Sequence, residues 1–331
     1  MNAPKCTDQD YIHFLVAAQS VFSTVEAARS HPDGAHKPAH DAYTRLLQRL
    51  PPDSAALWAE VQLCIERNKG RLIIDDTTLD KPYASKMALV TRHWSGKQHE
   101  VVQGINLISL VWSDGDGAFP CDFRLYHKAE DGLSKNDHFR ALLETARTRG
   151  FAPHLVAFDS WYSSLENLKL VRRFGWEWLT RLKSNRQVSL KAGEQQAVSD
   201  LTIPAVGLPV HLRGYGLVKV FRTVDPHGNA DYWATSRLDL TESQRQLLAD
   251  RAWLVEVYHR ALKQFTGVER GQFRLERAQR NPIGLALRAY IRLEWQRWRT
   301  RWSIFDAKLD IIREAVRLYM AHPKYLLPST A

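Results

Sequence analysis

Cysteine is scarce in this chain. Cys6, Cys64 and Cys121 stand far apart and form no C-x-x-C pair. An odd count with that spacing argues against a disulfide framework and against structural zinc. The 13 histidines form no H-x-x-x-H pair on a helical stretch, so no zinc site is expected from them. No run of roughly 18 apolar residues is free of charge, so no membrane span is expected. The most apolar run, Ile105 to Trp112, has the length of a buried strand. The first residues, MNAPKCTDQDYIHF, lack a basic-then-apolar signal segment, and a cytoplasmic location follows as the expectation. Internal repeats and low-complexity tracts are also missing.

Charge is what the chain has in surplus. Lysine and arginine number 46 against 36 acids, a net charge of +10. Hydrophobic residues make up 44% and charged residues 25% of the 331, enough apolar surface for a real core, which excludes wholesale disorder. At roughly 150 residues per domain the length suggests two or three domains. A basic excess of this size points first to a polyanion such as nucleic acid.

Residues 8–70 are helical in pattern. Ser23 and Glu26 form a capping box, and the stretch from His31 through Asp33 to Gly34 breaks the helix they open. A second run, Pro38 to Leu50, sets Ala42, Leu46, Leu47 and Leu50 on an apolar face and offers His40, Tyr43, Arg45 and Arg49 on the other. Pro51-Pro52 stops it, and Ser54 to Arg67 predicts another helix. Short helices with basic and aromatic groups suit a helix-turn-helix DNA reader; small bundles without a ligand share the pattern.

From Arg71 the texture changes. RLIIDDTTLD reads as an apolar strand ending in acids. HEVVQGINLISLVW and FPCDFRLY flank the turn Asp114-Gly115-Asp116-Gly117, an antiparallel hairpin. A helix from about Asn136 to Arg149 follows, capped by Ser134 and Asp137 and closed by Gly150; then come the strand HLVAFDSWY, a helix capped by Ser163 and Glu166, and the strand EWLTRLKSN. Antiparallel strands leading into βαβ units give one mixed α/β sheet covered by helices. Residues 188–240 read as a β-rich insertion. One helix is expected from the Thr241–Gln244 capping box to Gly267, a long Arg- and Trp-rich helix from Asn281-Pro282, and a last one near Phe305 to Tyr319.

Three acids stand out by position. Asp76 ends the first core strand, Asp159 ends the strand after the hairpin's helix, and Glu256 lies on a helix after the insertion. Sites in such sheets form outside the carboxyl ends of the strands. Three carboxylates from separate segments suit a pair of hard Mg²⁺ or Mn²⁺ ions, roughly 3.5–4 Å apart, in phosphodiester displacement. Strand-end aspartates also serve as plain turn and cap residues, and Asp114, Asp116, Asp131 and Asp225 are assigned to turns. Alternation sets Asp75 with Ile73 and Asp76 with Ile74, both faces are apolar, and periodicity does not choose between the two acids. Glu256, Arg260 and Lys263 share one helix face, where Lys263 would hold a phosphate; Glu256 and Arg260 also make an ordinary i,i+4 pair. Among the many aromatic residues, most of them core, Trp161 and Trp233 are candidates to stack on a flipped base, and Lys183 and Arg186 are candidates to track phosphates.

The segments IIDDTTLDKPY, HWSGKQHEVVQGINLISLVW, KNDHFRALL, FDSWYSSLENLKL, WLTRLKSN and VEVYHRALKQ resemble the DDE transposases of bacterial insertion sequences, the IS-four and IS-seven-oh-one type, from about residue 70 to 275. The resemblance implies a ribonuclease H-like catalytic domain with a β-strand insertion, using divalent metal, two ions per site, to cut DNA at element ends and join them to a target. It implies five segments: a DNA-binding helical domain at 1–70, catalytic core at 71–187, the insertion at 188–240, the helix with the third acid at 241–275 and a helical tail at 276–331. By motif, it places the family's acids on Asp76, Asp159 and Glu256 and the lysine of its Tyr-Arg-Glu-Lys signature on Lys263. The signature's arginine and tyrosine fall on Ala252 and Ala249, and Arg251 stands one place off, about 100° around a helix. That departure leaves hairpin-forming excision unsupported. It further implies a homodimer on double-stranded DNA, both terminal inverted repeats and target, near a bacterial nucleoid and without a membrane partner. The alternatives are a host nuclease or resolvase of the same fold without strand transfer, and a DNA-binding relic.

Overall fold

The computed structural model describes residues 4–32, 34, 37–95, 100–191 and 193–325. Asp33 of the first expected break, and Gly96 to His99 of the resembling segment HWSGKQHE, lie outside the described residues. In chain order come α1 (Asp8–Ala17), α2 (Thr24–Ser30), α3 (His40–Arg49), α4 (Ala55–Val61), β1 (Arg71–Asp80), β2 (Thr91–Ser95), β3 (Glu100–Ser113) and β4 (Ala118–Tyr126). Next are α5 (Lys128–Asp131), α6 (Lys135–Thr148), β5 (Leu155–Phe158), α7 (Leu165–Arg173) and β6 (Trp178–Leu182). Then follow β7 (Gln187–Ser189), β8 (Gln195–Ala197), β9 (Leu208–Leu212), β10 (Gly216–Val224) and β11 (Ala230–Thr235). The chain ends in α8 (Glu242–Ala252), α9 (Leu254–Phe265), α10 (Glu276–Thr300) and α11 (Ile304–Ala321). Two compact units result: Asp53–His259, and Met1–Pro52 together with Arg260–Ala331.

The unit Asp53–His259 is built on one mixed sheet. β1 is buried from Arg71 to Ile74, pairs antiparallel with β3 on one side and runs parallel to β5 on the other. β5 runs parallel to β6, which pairs antiparallel with β11; the order continues β10, β9, β7, β8. The β-rich stretch is therefore continuous with the core sheet. β2, a short strand with no signal in the sequence pattern, pairs with the start of β3, and β4 pairs with the remainder. The expected hairpin turn forms. Asp114 Oδ1 accepts from the amides of Asp116 and Gly117, and Gly115 sits at φ +108°, where a Cβ would lie 3.0 Å from Arg71 Nη1. Glycine is the residue that fits there without strain.

Helices cover the sheet. α6 carries the expected capping box of Ser134 and Asp137 and buries Phe139, Leu142, Leu143 and Ala146. α7 is capped one residue later than expected, because Ser164 Oγ accepts from Asn167 N while Ser163 Oγ donates to the carbonyl of Ser160 and closes a 3₁₀ turn. The single helix expected from Thr241 to Gly267 is two. The Thr241–Gln244 capping box opens α8 as expected, but α8 has no apolar face and its buried residue is Arg245. The amphipathic stripe starts only at Val255, with Tyr258 one turn on, so the chain breaks at Trp253 and α9 begins there.

The other unit joins α1–α3 to α10 and α11. α10 starts at Glu276, not at Asn281-Pro282, and Pro282 lies inside it. Proline gives up one helical bond there. Its neighbour Asn281 donates to the carbonyls of Leu47 and Leu50 at 2.7 and 2.9 Å, which answers open acceptors at the end of α3. Arg288 pairs with Asp8 at 2.6 Å. Lys308 of α11, almost fully buried, donates to the carbonyls of Leu15, Ala18 and Phe265. No helix among the described residues is long and apolar enough to cross a membrane.

Candidate active site

Asp75 and Asp76 are neighbours on β1, so their side chains leave opposite faces of the sheet. Asp75 stands opposite Ser109 of β3, and Ser109 Oγ is 3.0 Å from the hydroxyl of Tyr258. The face of Asp75 is therefore the face on which α9 packs. Asp76 belongs to the other face. Its Oδ2 accepts from Asn106 Nδ2 and Lys135 Nζ, each at 2.7 Å, and its Oδ1 accepts from the Tyr162 hydroxyl at 2.7 Å.

Asp75, Asp159 and Glu256 line one cavity of about 80 Å³. Ile73, Ala157, Leu179 and Val255 supply its apolar walls, and Arg181 is the cation on its wall among the described residues. Asp159 follows β5 in extended conformation and its side chain makes no capping bond, so the cap role open to a strand-end aspartate is not the one it plays. Glu256 sits in the first turn of α9. Ala249 and Ala252 of α8 line the same cavity.

The two acids of β1 differ in charge as they differ in direction. Burial pushes the Asp75 carboxyl well above the usual range, and the charges of Asp76, Glu256 and Asp159 add to it. Burial acts on Asp76 too, but the Lys135 ammonium and the bonds from Asn106, Lys135 and Tyr162 outweigh it and hold Asp76 below the usual range. The Tyr162 hydroxyl is pushed up by burial and by Asp76. His259, buried beside Tyr258, places Nδ1 4.0 Å from Asp75 Oδ2.

This corrects the choice of Asp76. It does not reach the cavity of Asp159 and Glu256, because α9 packs on the opposite face of β1; Asp75 does. Oxygen-only donors from three segments suit a hard divalent cation. Their crowding, which raises Asp75, is what a cation would relieve. Among the described residues no three His, Cys, Asp or Glu side chains are already gathered closely enough to hold an ion. The donor chemistry fits a hard divalent cation, which Asp75, Asp159 and Glu256 would hold.

A family model described as DDE superfamily endonuclease matches residues 12–199, more than half of the chain, including β1 and the Asp159 loop. The chain belongs to the DDE superfamily of endonucleases. Its fold is similar to that of piggyBac transposase, seen by cryo-electron microscopy in a synaptic complex with hairpin DNA: TM-score 0.51 at 11% identity, over 100% of this chain and 79% of that one. The mixed α/β fold expected from the sequence is thereby borne out. No curated protein matches the chain.

The remaining candidates of this DDE endonuclease are scattered. Lys263 is ion-paired with Glu269 at 2.9 Å, and Arg260 is exposed on the same helix. His40 opens α3 and is exposed; Arg45 pairs with Asp41, and Arg49 donates to the carbonyl of Cys6. Tyr43 is not on the exposed face. It is buried against Tyr11, one turn before Leu47 on the apolar side of α3, so it contacts no DNA as the helix stands. Arg251 lies beside Gly115 and Arg71 at the hairpin turn. Arg181 and Arg245 both stand against the ring of Trp233, at 5.4 and 5.2 Å. Trp161, Lys183 and Arg186 line a second, larger cavity. Reading the sequence weighs Asp75 and sets it aside on the resemblance, and misses Arg181, His259 and Lys135. For Arg181 the available signal was its place at the end of the strand after Asp159.

Proposed function

We propose that this chain is a DNA transposase that cleaves strands at the ends of a mobile element and joins the freed 3′ ends to target DNA. The observation that supports it most is the convergence of Asp75, Asp159 and Glu256 on one cavity in a DDE superfamily chain. Asp75 and Asp159 would hold the divalent ions from β1 and the β5 loop, and Glu256 would close the set from α9. A divalent cation such as Mg²⁺ or Mn²⁺, when held there, would supply water activation and charge neutralisation at the leaving oxygen. Arg181 would bind a non-bridging oxygen of the reacting phosphate and hold it in line for attack, first by water and then by the freed 3′-hydroxyl. Asp76, Lys135, Tyr162 and Asn106 form the support behind β1 that fixes Asp75 in direction. Apolar walls limit water around the reacting bond.

The helices of the other unit, with His40, Arg45 and Arg49 exposed or partly exposed, are our candidates to read terminal inverted repeats, and a homodimer would pair two ends. Lys263 would exchange Glu269 for a backbone phosphate. The test is cleavage of a labelled duplex carrying the element's own terminal repeats, in Mg²⁺ or Mn²⁺. Cutting at the repeat boundary that Asp75→Ala and Asp159→Ala lose, with joined products, supports the transposase. Cutting without joining favours a nuclease or resolvase. Repeat-specific binding with no cutting in either metal sinks the enzyme reading.

A further inference from the structure

A second cavity of about 740 Å³ begins beside Asp159. That size lies within the roughly 300–1,000 Å³ of small-ligand pockets. One wall is the 3₁₀ turn with Trp161; the other is the chain from the end of β6 through β9. Its lining holds three cations, Lys183, Arg186 and Arg213, and no acid. Arg186 is half-buried, and burial alone pushes its pKa below the ordinary value, with no carboxylate opposing it. Among the described residues no ion pair engages any of the three. A half-buried guanidinium with two more cations around an open space suits an anion.

The cavity also has what a base needs. Trp161 is 57% exposed at its rim, a large ring that the fold does not use as core. Lys183 lies 5.4 Å and Lys135 5.6 Å from that ring. Gln187 and Gln195 add amides, each both donor and acceptor, matched to the edge of a base. Trp233 is only partly exposed, where Trp161 is exposed, and is less suited to stacking. Phosphate-binding cations beside an exposed aromatic ring are the recurring elements of single-strand recognition.

We propose that this cavity holds one unpaired nucleotide of a DNA strand, its base stacked on Trp161 and its phosphate on Arg186 with Lys183 and Arg213. The inference rests on the reading that the chain acts on DNA. It names the strand form taken up beside the acid cavity, unpaired rather than duplex.

The test uses the full chain in chelator, so that nothing is cut. Binding of a labelled single-stranded oligodeoxynucleotide is compared with an abasic strand of the same length and with a duplex, by fluorescence anisotropy. Wild type is expected to prefer the base-bearing strand over the abasic one by about tenfold. Trp161→Ala should erase that preference, and Trp161→Phe should keep it. Arg186→Gln should weaken both strands alike by about tenfold. Thermal melts check that the variants fold, and Trp161, being exposed, leaves no core cavity behind. Equal binding of base-bearing and abasic strands by wild type overturns the proposal. So does a preference that survives Trp161→Ala, or tighter binding of the duplex that Arg186→Gln does not weaken. Cleavage of the repeat duplex is scored separately, so loss of this proposal leaves the transposase reading standing.

Discussion

Replacing Asp75 and Asp76 by asparagine should shift stability in opposite directions. Asp76 is held ionised by Lys135 and two further donors, Asn106 and Tyr162, so its folded pKa lies below the unfolded value. Its contribution is present above about pH 3.9 and is lost as pH falls through the folded pKa. Asp76→Asn removes it and leaves Lys135 without its carboxylate, at a cost of about 1–3 kcal/mol. Asp75 is pushed up by burial and by three neighbouring acids, so its charge opposes folding at neutral pH and that opposition fades as pH drops. Asp75→Asn should raise the melting temperature at pH 7 while abolishing cleavage, a trade of stability for activity. Thermal melts of both variants at neutral and acid pH check the signs. Equal destabilisation by both would mean that the two faces of β1 are not distinguished as described. The sequence left these two acids tied because each follows an apolar residue on its own face. Resemblance then favoured Asp76. What decides between them is which face α9 covers, and that depends on a contact 149 residues away in the chain, Ser109 to Tyr258.

At the scale of elements, local signals were legible wherever they were short-range. The capping boxes of α6 and α8 and the Asp-Gly turn between β3 and β4 use donors and acceptors within a few residues, and each forms where the chain spells it. The start of α10 was misread because proline is common at a first helical turn. Here the loss is borne inside the helix, at a buried site where Asn281 ties down the end of α3. The break at Trp253 matters most for function, since it sets α8 apart from α9 and turns Ala249 and Ala252 toward the acids without bringing a cation. Arg181 of β6 stands on that wall instead. Arg181→Ala should lower single-turnover cleavage about 10²-fold with little change in DNA affinity, as for loss of one preorganised donor at a charged transition state. Arg181→Lys should recover part of the rate, because a lysine keeps charge and loses the fork. An affinity loss as large as the rate loss would instead place Arg181 in ground-state binding.

The whole molecule is divided in a way that a linear reading does not reveal. Chain ends far apart in sequence build one unit: α1 and α3 pack on α10, Asp8 pairs with Arg288, and Lys308 gathers the carbonyls of Leu15 and Ala18. Such pairings leave no mark in local periodicity, because each helix shows only that it has an apolar face, not which helix covers it. The consequence is testable by truncation. A chain lacking residues 1–52 would expose Leu285, Ala289 and the rest of α10's buried stripe, at roughly 25 cal/mol for each Å² uncovered, and take Asp8 from Arg288 and the carbonyls of Leu15 and Ala18 from Lys308. It should aggregate or lose helical signal beyond that of the deleted residues, measured by circular dichroism and size exclusion against the full chain. Were α1–α3 a detachable DNA reader, the truncated chain would instead stay monodisperse, melt as the parent does and cut DNA without regard to the repeats. Restoring residues 1–52 as a separate peptide then distinguishes the two cases further. In a shared unit the peptide must fold onto α10 to rescue the helical signal, and Asp8→Ala in that peptide should weaken the rescue by breaking its pair with Arg288.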